Sequence, residues 1–142
     1  MKYYEKEVLS LPAGKTIKMV EKHKVYGCPN KKTYRYKKSL FLTFRNPNRG
    51  VMERLHKIDE LLIMNPSSKA DIERFKQSKY SDNVKKRIMN FISDFDYQDD
   101  YGDIRFYLLS HDSIELAHKP HPEVNNAGYT YYTLAQILSM GV

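Results

Sequence analysis

The sequence predicts an α+β fold: an N-terminal three-stranded antiparallel β-meander packed on a three-helix-plus-hairpin unit, followed by a short C-terminal helix. Three observations carry this expectation. In residues 1–50 apolar and charged side chains alternate with the period of half-buried strands. From Val51 to Phe95 the apolar spacing lengthens to that of helices. Beyond Ile104 it shortens to a strand period again.

The first strand is expected over residues 3–9 and the second over 16–26, where Ile17, Met19, His23 and Val25 share one parity and Lys18, Lys22 and Lys24 the other. Pro12–Lys15 and Gly27–Asn30 supply turn chemistry between them. The third strand, 33–44, puts Tyr34, Tyr36, Leu40, Leu42 and Phe44 on one face, and Asn46-Pro47-Asn48-Arg49-Gly50 ends it. A module boundary is expected there, giving a basic module over 1–50 and a second over 51–142 within one compact unit. Val51, Leu55, Ile58 and Leu62 recur at helical spacing and predict a helix over 51–64. Asn65-Pro66 stops it, and Ser67 or Ser68 caps a second helix over 69–76 with Ile72 and Phe75 inward. Ser81 or Asp82 caps a third, in which Val84, Ile88, Phe91, Ile92 and Phe95 form an apolar stripe. After an acidic loop, 94–103, a hairpin is expected from 104–109 and 113–117 around Ser110-His111-Asp112. A loop at Lys119-Pro120-His121-Pro122, a last strand at 129–132 and a helix over 133–140 complete the chain.

Charge narrows the function. The 142 residues carry +7, distributed as 13 Lys/Arg against 3 acids in 1–50, 9 against 6 in 51–93, and 2 against 8 in 94–142. Such a field suits a polyanion, because Lys and Arg that neutralise phosphates release condensed counterions. No apolar run approaches the roughly 20 residues of a membrane-spanning helix, so no membrane is expected as a partner. The N-terminus has no secretory h-region, which predicts a cytoplasmic protein. The lone Cys28 makes neither an intrachain disulfide nor a four-thiolate zinc site.

A capped short helix, a tight break, a longer amphipathic helix and a hairpin follow one another over 51–118, and that order resembles the winged helix-turn-helix DNA-binding family. The resemblance implies that the third helix enters the major groove of duplex DNA. On that helix Asn83, Lys86 and Asn90 lie opposite the apolar stripe, flanked by Lys85 and Arg87, and Asn and Lys can bond adenine and guanine edges. The same pattern suits the wet face of a surface helix. A second candidate surface is Lys31, Lys32, Tyr34, Arg35, Tyr36, Lys37 and Lys38, which interleaves rings with cations as single-strand-binding sheets do.

Catalytic and metal readings fare worse. His111, His118, His121 and Cys28 lack zinc-site spacing, and 94–105 has Asp99 and Arg105 where a calcium loop needs Gly and Glu. Asp103 with Glu115-Leu116-Ala117 has Ala where metal-dependent nucleases have Lys. Asn65 with its Asn-Pro loop, and His121 with its His-Pro loop, resemble the two working loops of uracil-DNA-glycosylase-like proteins, an enzymatic alternative. The expectation is a non-enzymatic nucleic-acid-binding protein without metal or cofactor, a DNA-binding regulator of phage or mobile-element type. The alternative binder is a phage-type inhibitor that grips a host protein, and the opposite-charge ends would also suit a homodimer.

Overall fold

The computed structural model describes residues 7–12, 14, 17–31, 36, 38–47, 49–97, 101–124 and 128–140. In chain order they form β1 (Val8–Pro12), α1 (Ile17–His23), β2 (Val25–Pro29), β3 (Phe41–Arg45), β4 (Arg54–Met64), α2 (Lys69–Lys76), α3 (Asp82–Phe95), β5 (Ile104–Glu115), β6 (Thr130–Tyr132) and α4 (Leu134–Ser139). The strands join in one mixed six-stranded sheet of order β2-β5-β4-β3-β1-β6. β1 runs parallel to β3, with Leu9 opposite Leu42, and antiparallel to β6, with Leu9 opposite Tyr131.

This architecture corrects the expected meander and winged-helix-like unit. β1 pairs with β3 and β6 rather than β2, so the described residues of the first fifty make no meander; residues 3–6, 33–35 and 37 of the expected strands lie outside the described residues. In place of the expected second strand, Ile17–His23 form α1 and Val25 opens β2: Met19, Val20 and His23 fall on one helical face, and Lys24 turns the chain at a φ of 55°. Within the expected helix over 51–64, Arg54–Met64 form strand β4 instead. Four consecutive apolar residues, Leu61–Met64, fit either period, and pairing decides between them. Phe41 stands opposite Lys57, Leu42 opposite His56, and the Ile58 N–H donates to the Leu40 carbonyl at 2.9 Å. The expected hairpin is one 12-residue strand, β5. Ser110-His111-Asp112 contains neither Gly nor Pro to turn it, and Leu109 and Leu116 donate to Lys24 and Glu53 carbonyls at 2.8 Å on either side.

α2 and α3 form over the expected spans for the expected reasons. The Ser68 and Ser81 hydroxyls each accept an orphan N–H of the first turn, from Asp71 and Val84 at 3.2 Å. α4 starts with a reciprocal capping box, in which Thr133 accepts from the Gln136 N–H and the Gln136 side chain accepts from the Thr133 N–H.

The chain divides into two compact units, one from residues 1–17, 36–58 and 110–142, the other from 18–35 and 59–109. The first is built on Val8, Met52, Leu55, Leu116 and Ile137. The second buries Phe75 of α2 and Ile88 and Phe91 of α3 against Leu62, Met64, Ile104, Phe106 and Leu108 of β4 and β5. Full burial of each such side chain stabilises by about 1.5–3 kcal/mol. Folding also redistributes charge: the first unit holds 10 Lys/Arg against 6 acids and the second 14 against 11, or +4 and +3. The steep gradient along the sequence is therefore absent from the units, because each draws on both ends of it.

Candidate nucleic-acid interface

Asn83, Lys86 and Asn90 are exposed on α3, while Ile88 and Phe91 are buried and Val84 and Ile92 pack beside them. The flanking cations are engaged elsewhere. Lys85 Nζ donates to the Ser78 carbonyl at 2.7 Å, tying the helix to the break before it. Arg87 lies across the junction of α1, β2 and β5, donating to the carbonyls of His23 at 3.3 Å, Lys24 at 2.6 Å and Leu109 at 2.6 Å. Burial pushes its pKa down, and the Asp59 carboxylate opposes that shift. Lys85 and Arg87 thus serve the fold of the second unit, which separates them from the Asn83, Lys86 and Asn90 face.

The Tyr/Lys segment gives a different result. Lys32, Tyr34, Arg35 and Lys37 lie outside the described residues, whereas Lys31 and Lys38 are exposed and Tyr36 is half-buried. The Tyr36 ring stacks on Tyr129 with centroids 6.4 Å apart and an interplanar angle of 15°. Tyr129 in turn meets Tyr131 edge-on at 5.7 Å and 80°. Both geometries are favourable for aromatic pairs. The alternation Tyr129, Tyr131 was visible as a strand, but its partnership with Tyr36 depends on the edge position of β6, which no local pattern announces.

Arg45 holds this edge in place. It is 1% exposed, and its Nη1 donates to the Ser10 carbonyl at 3.2 Å and the Ser10 hydroxyl at 3.1 Å. Its Nη2 donates to the Gly128 carbonyl, immediately before Tyr129, and it shares a hydrogen bond with the Tyr132 side chain. Burial lowers the guanidinium pKa, opposed by Tyr132. The Arg45 fork therefore joins β1, β3, β6 and the residue before Tyr129 in one polar cluster, which ties the chain at Tyr129 to the sheet.

The residues weighed for catalysis are occupied locally. The Asn65 side chain accepts from the Ser67 N–H at 2.9 Å, and its own N–H donates to Asp71 at 2.8 Å, so it makes the turn between β4 and α2. A strand does end at Asn65-Pro66, as the glycosylase-like reading expected, and each of its two residues makes a hydrogen bond within its own loop. His121 Nδ1 lies 3.3 Å from the Pro122 carbonyl, and His118 Nε2 lies 3.0 Å from the Ile137 carbonyl. Burial raises the Cys28 thiol to about 11, with Arg105 opposing. Among the described residues no three His, Cys, Asp or Glu side chains cluster as a metal site would, and no helix is long and apolar enough to cross a membrane.

No protein-family model matches the sequence, and no curated protein matches it. Among solved structures the chain is similar to ASCH from Zymomonas mobilis, at 8% identity and a TM-score of 0.47, over 93% of this chain and 92% of that one. A mutant of the same protein gives 10% identity and a TM-score of 0.45 over 92% and 93%. The winged-helix assignment does not hold: its first helix and its hairpin are strands β4 and β5 here.

Proposed function

We propose that the protein binds single-stranded nucleic acid without turnover, on the Tyr36, Tyr129 and Tyr131 group. The observation that carries this reading is a partly exposed ring cluster at the edge strand β6, with the exposed cation Lys38 two residues from Tyr36, in a chain of net charge +7. Unpaired bases stack on such rings whatever their sequence, and each stacked base contributes about 1–3 kcal/mol. Lys38 then neutralises backbone phosphate, and the Arg45 cluster keeps the rings in place as the strand binds.

A second reading uses the exposed Asn83, Lys86 and Asn90 face of α3 on duplex DNA. The two are separated by fluorescence anisotropy with a labelled ten-nucleotide oligo-U, the matching oligo-dT and a duplex. Single strands should bind more tightly than duplex, and Tyr129→Ala should weaken them while Asn83→Ala, Lys86→Ala and Asn90→Ala leave them unchanged. Loss of binding in the helix variants, with wild-type affinity in Tyr129→Ala, would transfer the function to α3. No binding of any of the three at low salt would end the nucleic-acid reading.

A further inference from the structure

The second unit carries another aromatic group, with the opposite electrostatic surroundings. Phe91, only 2% exposed, stacks on Phe95 at 5.9 Å, and Phe95 stacks on Tyr97 at 4.5 Å and 29°. Tyr101 then meets Tyr97 nearly perpendicular, at 5.9 Å and 76°. The series runs outward from the core: Phe95 is 38% exposed and Tyr101 54%. Its middle ring is fixed, because Tyr97 packs edge-on against Phe106 and its hydroxyl lies over Gly27, where an added Cβ would come within 3.0 Å. Two large rings therefore face solvent on a rigid base, beyond what the core of the unit requires.

Carboxylates flank them in sequence. Between Arg87 and Arg105 the sequence contains no Lys or Arg, and Asp94, Asp96 and Asp103 are exposed. Lys22 at Asp94, and Arg105 and Lys31 around the Asn30 that pairs with Asp103, offset part of that charge. A cation is attracted twice, by the carboxylates and by the negative faces of the rings. The chain already shows the first attraction at this end of α3, where Asp94 receives Lys22 Nζ and lies against His23 Nε2, both at 2.8 Å. We infer that Phe95, Tyr97 and Tyr101, with Asp96 and Asp103, form a docking surface for a cationic segment of a protein partner. An arginine or lysine of that segment lies over the Phe95 or Tyr101 ring while its neighbours meet the carboxylates. This goes beyond the nucleic-acid reading and does not depend on it.

The test titrates full-length protein with a hexa-arginine peptide, and with hexaglutamine as the neutral control, following aromatic side-chain resonances by NMR at low and physiological salt. Hexa-arginine should shift Phe95 and Tyr101, and hexaglutamine should not. Tyr101→Leu, which removes an exposed ring but keeps its apolar bulk, should weaken peptide binding about three- to tenfold. Asp96→Asn with Asp103→Asn should weaken it further and flatten its salt dependence. Equal binding by Tyr101→Leu and wild type would overturn the ring's role and with it the proposal. Shifts of Phe95 and Tyr101 on adding oligo-U, or on raising protein concentration alone, would overturn it in favour of nucleic acid or of a second copy.

Discussion

The two units each present a group of aromatic rings, and the groups differ in what surrounds them rather than in the rings themselves. Tyr36 and Tyr129 meet at the edge strand β6 that carries Tyr131, with Lys38 close to Tyr36 in sequence, while Phe95 ends α3 and stacks on Tyr97, which meets Tyr101, with Asp94, Asp96 and Asp103 close in sequence. A ring face accepts either a base or a cation, so ring geometry alone selects neither. The charge beside it selects. On this reasoning one unit takes a polyanion and the other a cationic peptide, although their net charges, +4 and +3, are nearly equal.

The largest effect is expected where the tyrosine group is anchored. Arg45→Ala removes the buried fork that donates to the Ser10 carbonyl and hydroxyl and to the Gly128 carbonyl. Urea denaturation should show a loss of about 3 kcal/mol, since each buried group deprived of its bond costs about 1–3 kcal/mol. Oligo-U binding should fall with it. Next comes Tyr129→Ala, with a loss of about 1–3 kcal/mol of single-strand affinity. Its melting temperature should stay close to wild type.

On the acidic side Gly27→Ala tests the base of the ring series. The new Cβ would meet the Tyr97 hydroxyl at 3.0 Å, Phe91 at 3.2 Å and Ile104 at 3.3 Å. Crowding of that kind costs about 1–2 kcal/mol, and hexa-arginine binding should weaken while oligo-U binding is unchanged. The smallest effect is a pH dependence. Asp94 is held below the ordinary carboxylate pKa, first by its hydrogen bond from Lys22 and then by that with His23. A lowered folded-state pKa contributes stability above the ordinary value that is lost as pH falls toward the depressed one. Thermal melts of wild type and Asp94→Asn should therefore differ slightly at neutral pH and converge in acid.

How far the sequence could be read follows from where each signal is local. α2 and α3 were legible because caps and apolar stripes act within a few residues: Ser68, Ser81 and the Ile88/Phe91 stripe do in space what their spacing implies. β4 was not, because Leu55, Ile58 and Leu62 satisfy a helical period until a strand elsewhere pairs with them, and β5 was read as two strands because Ser110-His111-Asp112 resembles a turn. The candidate surface was half legible. Tyr36 and Lys38 were singled out for their aromatic and cationic pattern, but Tyr129 and Tyr131 join them only through the contact of β6 with β1, across more than a hundred residues. Arg87 shows the converse: it had the right chemistry for a phosphate contact, yet three backbone carbonyls hold it.

One measurement tests the division between the two ring groups most directly. Ring resonances of protein labelled at Tyr and Phe are followed while a ten-nucleotide oligo-U is added at low salt. The account predicts that Tyr36, Tyr129 and Tyr131 shift in a saturable way and that Phe95 and Tyr101 do not move. Saturable shifts of Phe95 and Tyr101, with the three tyrosines of the β6 edge unmoved, would contradict it.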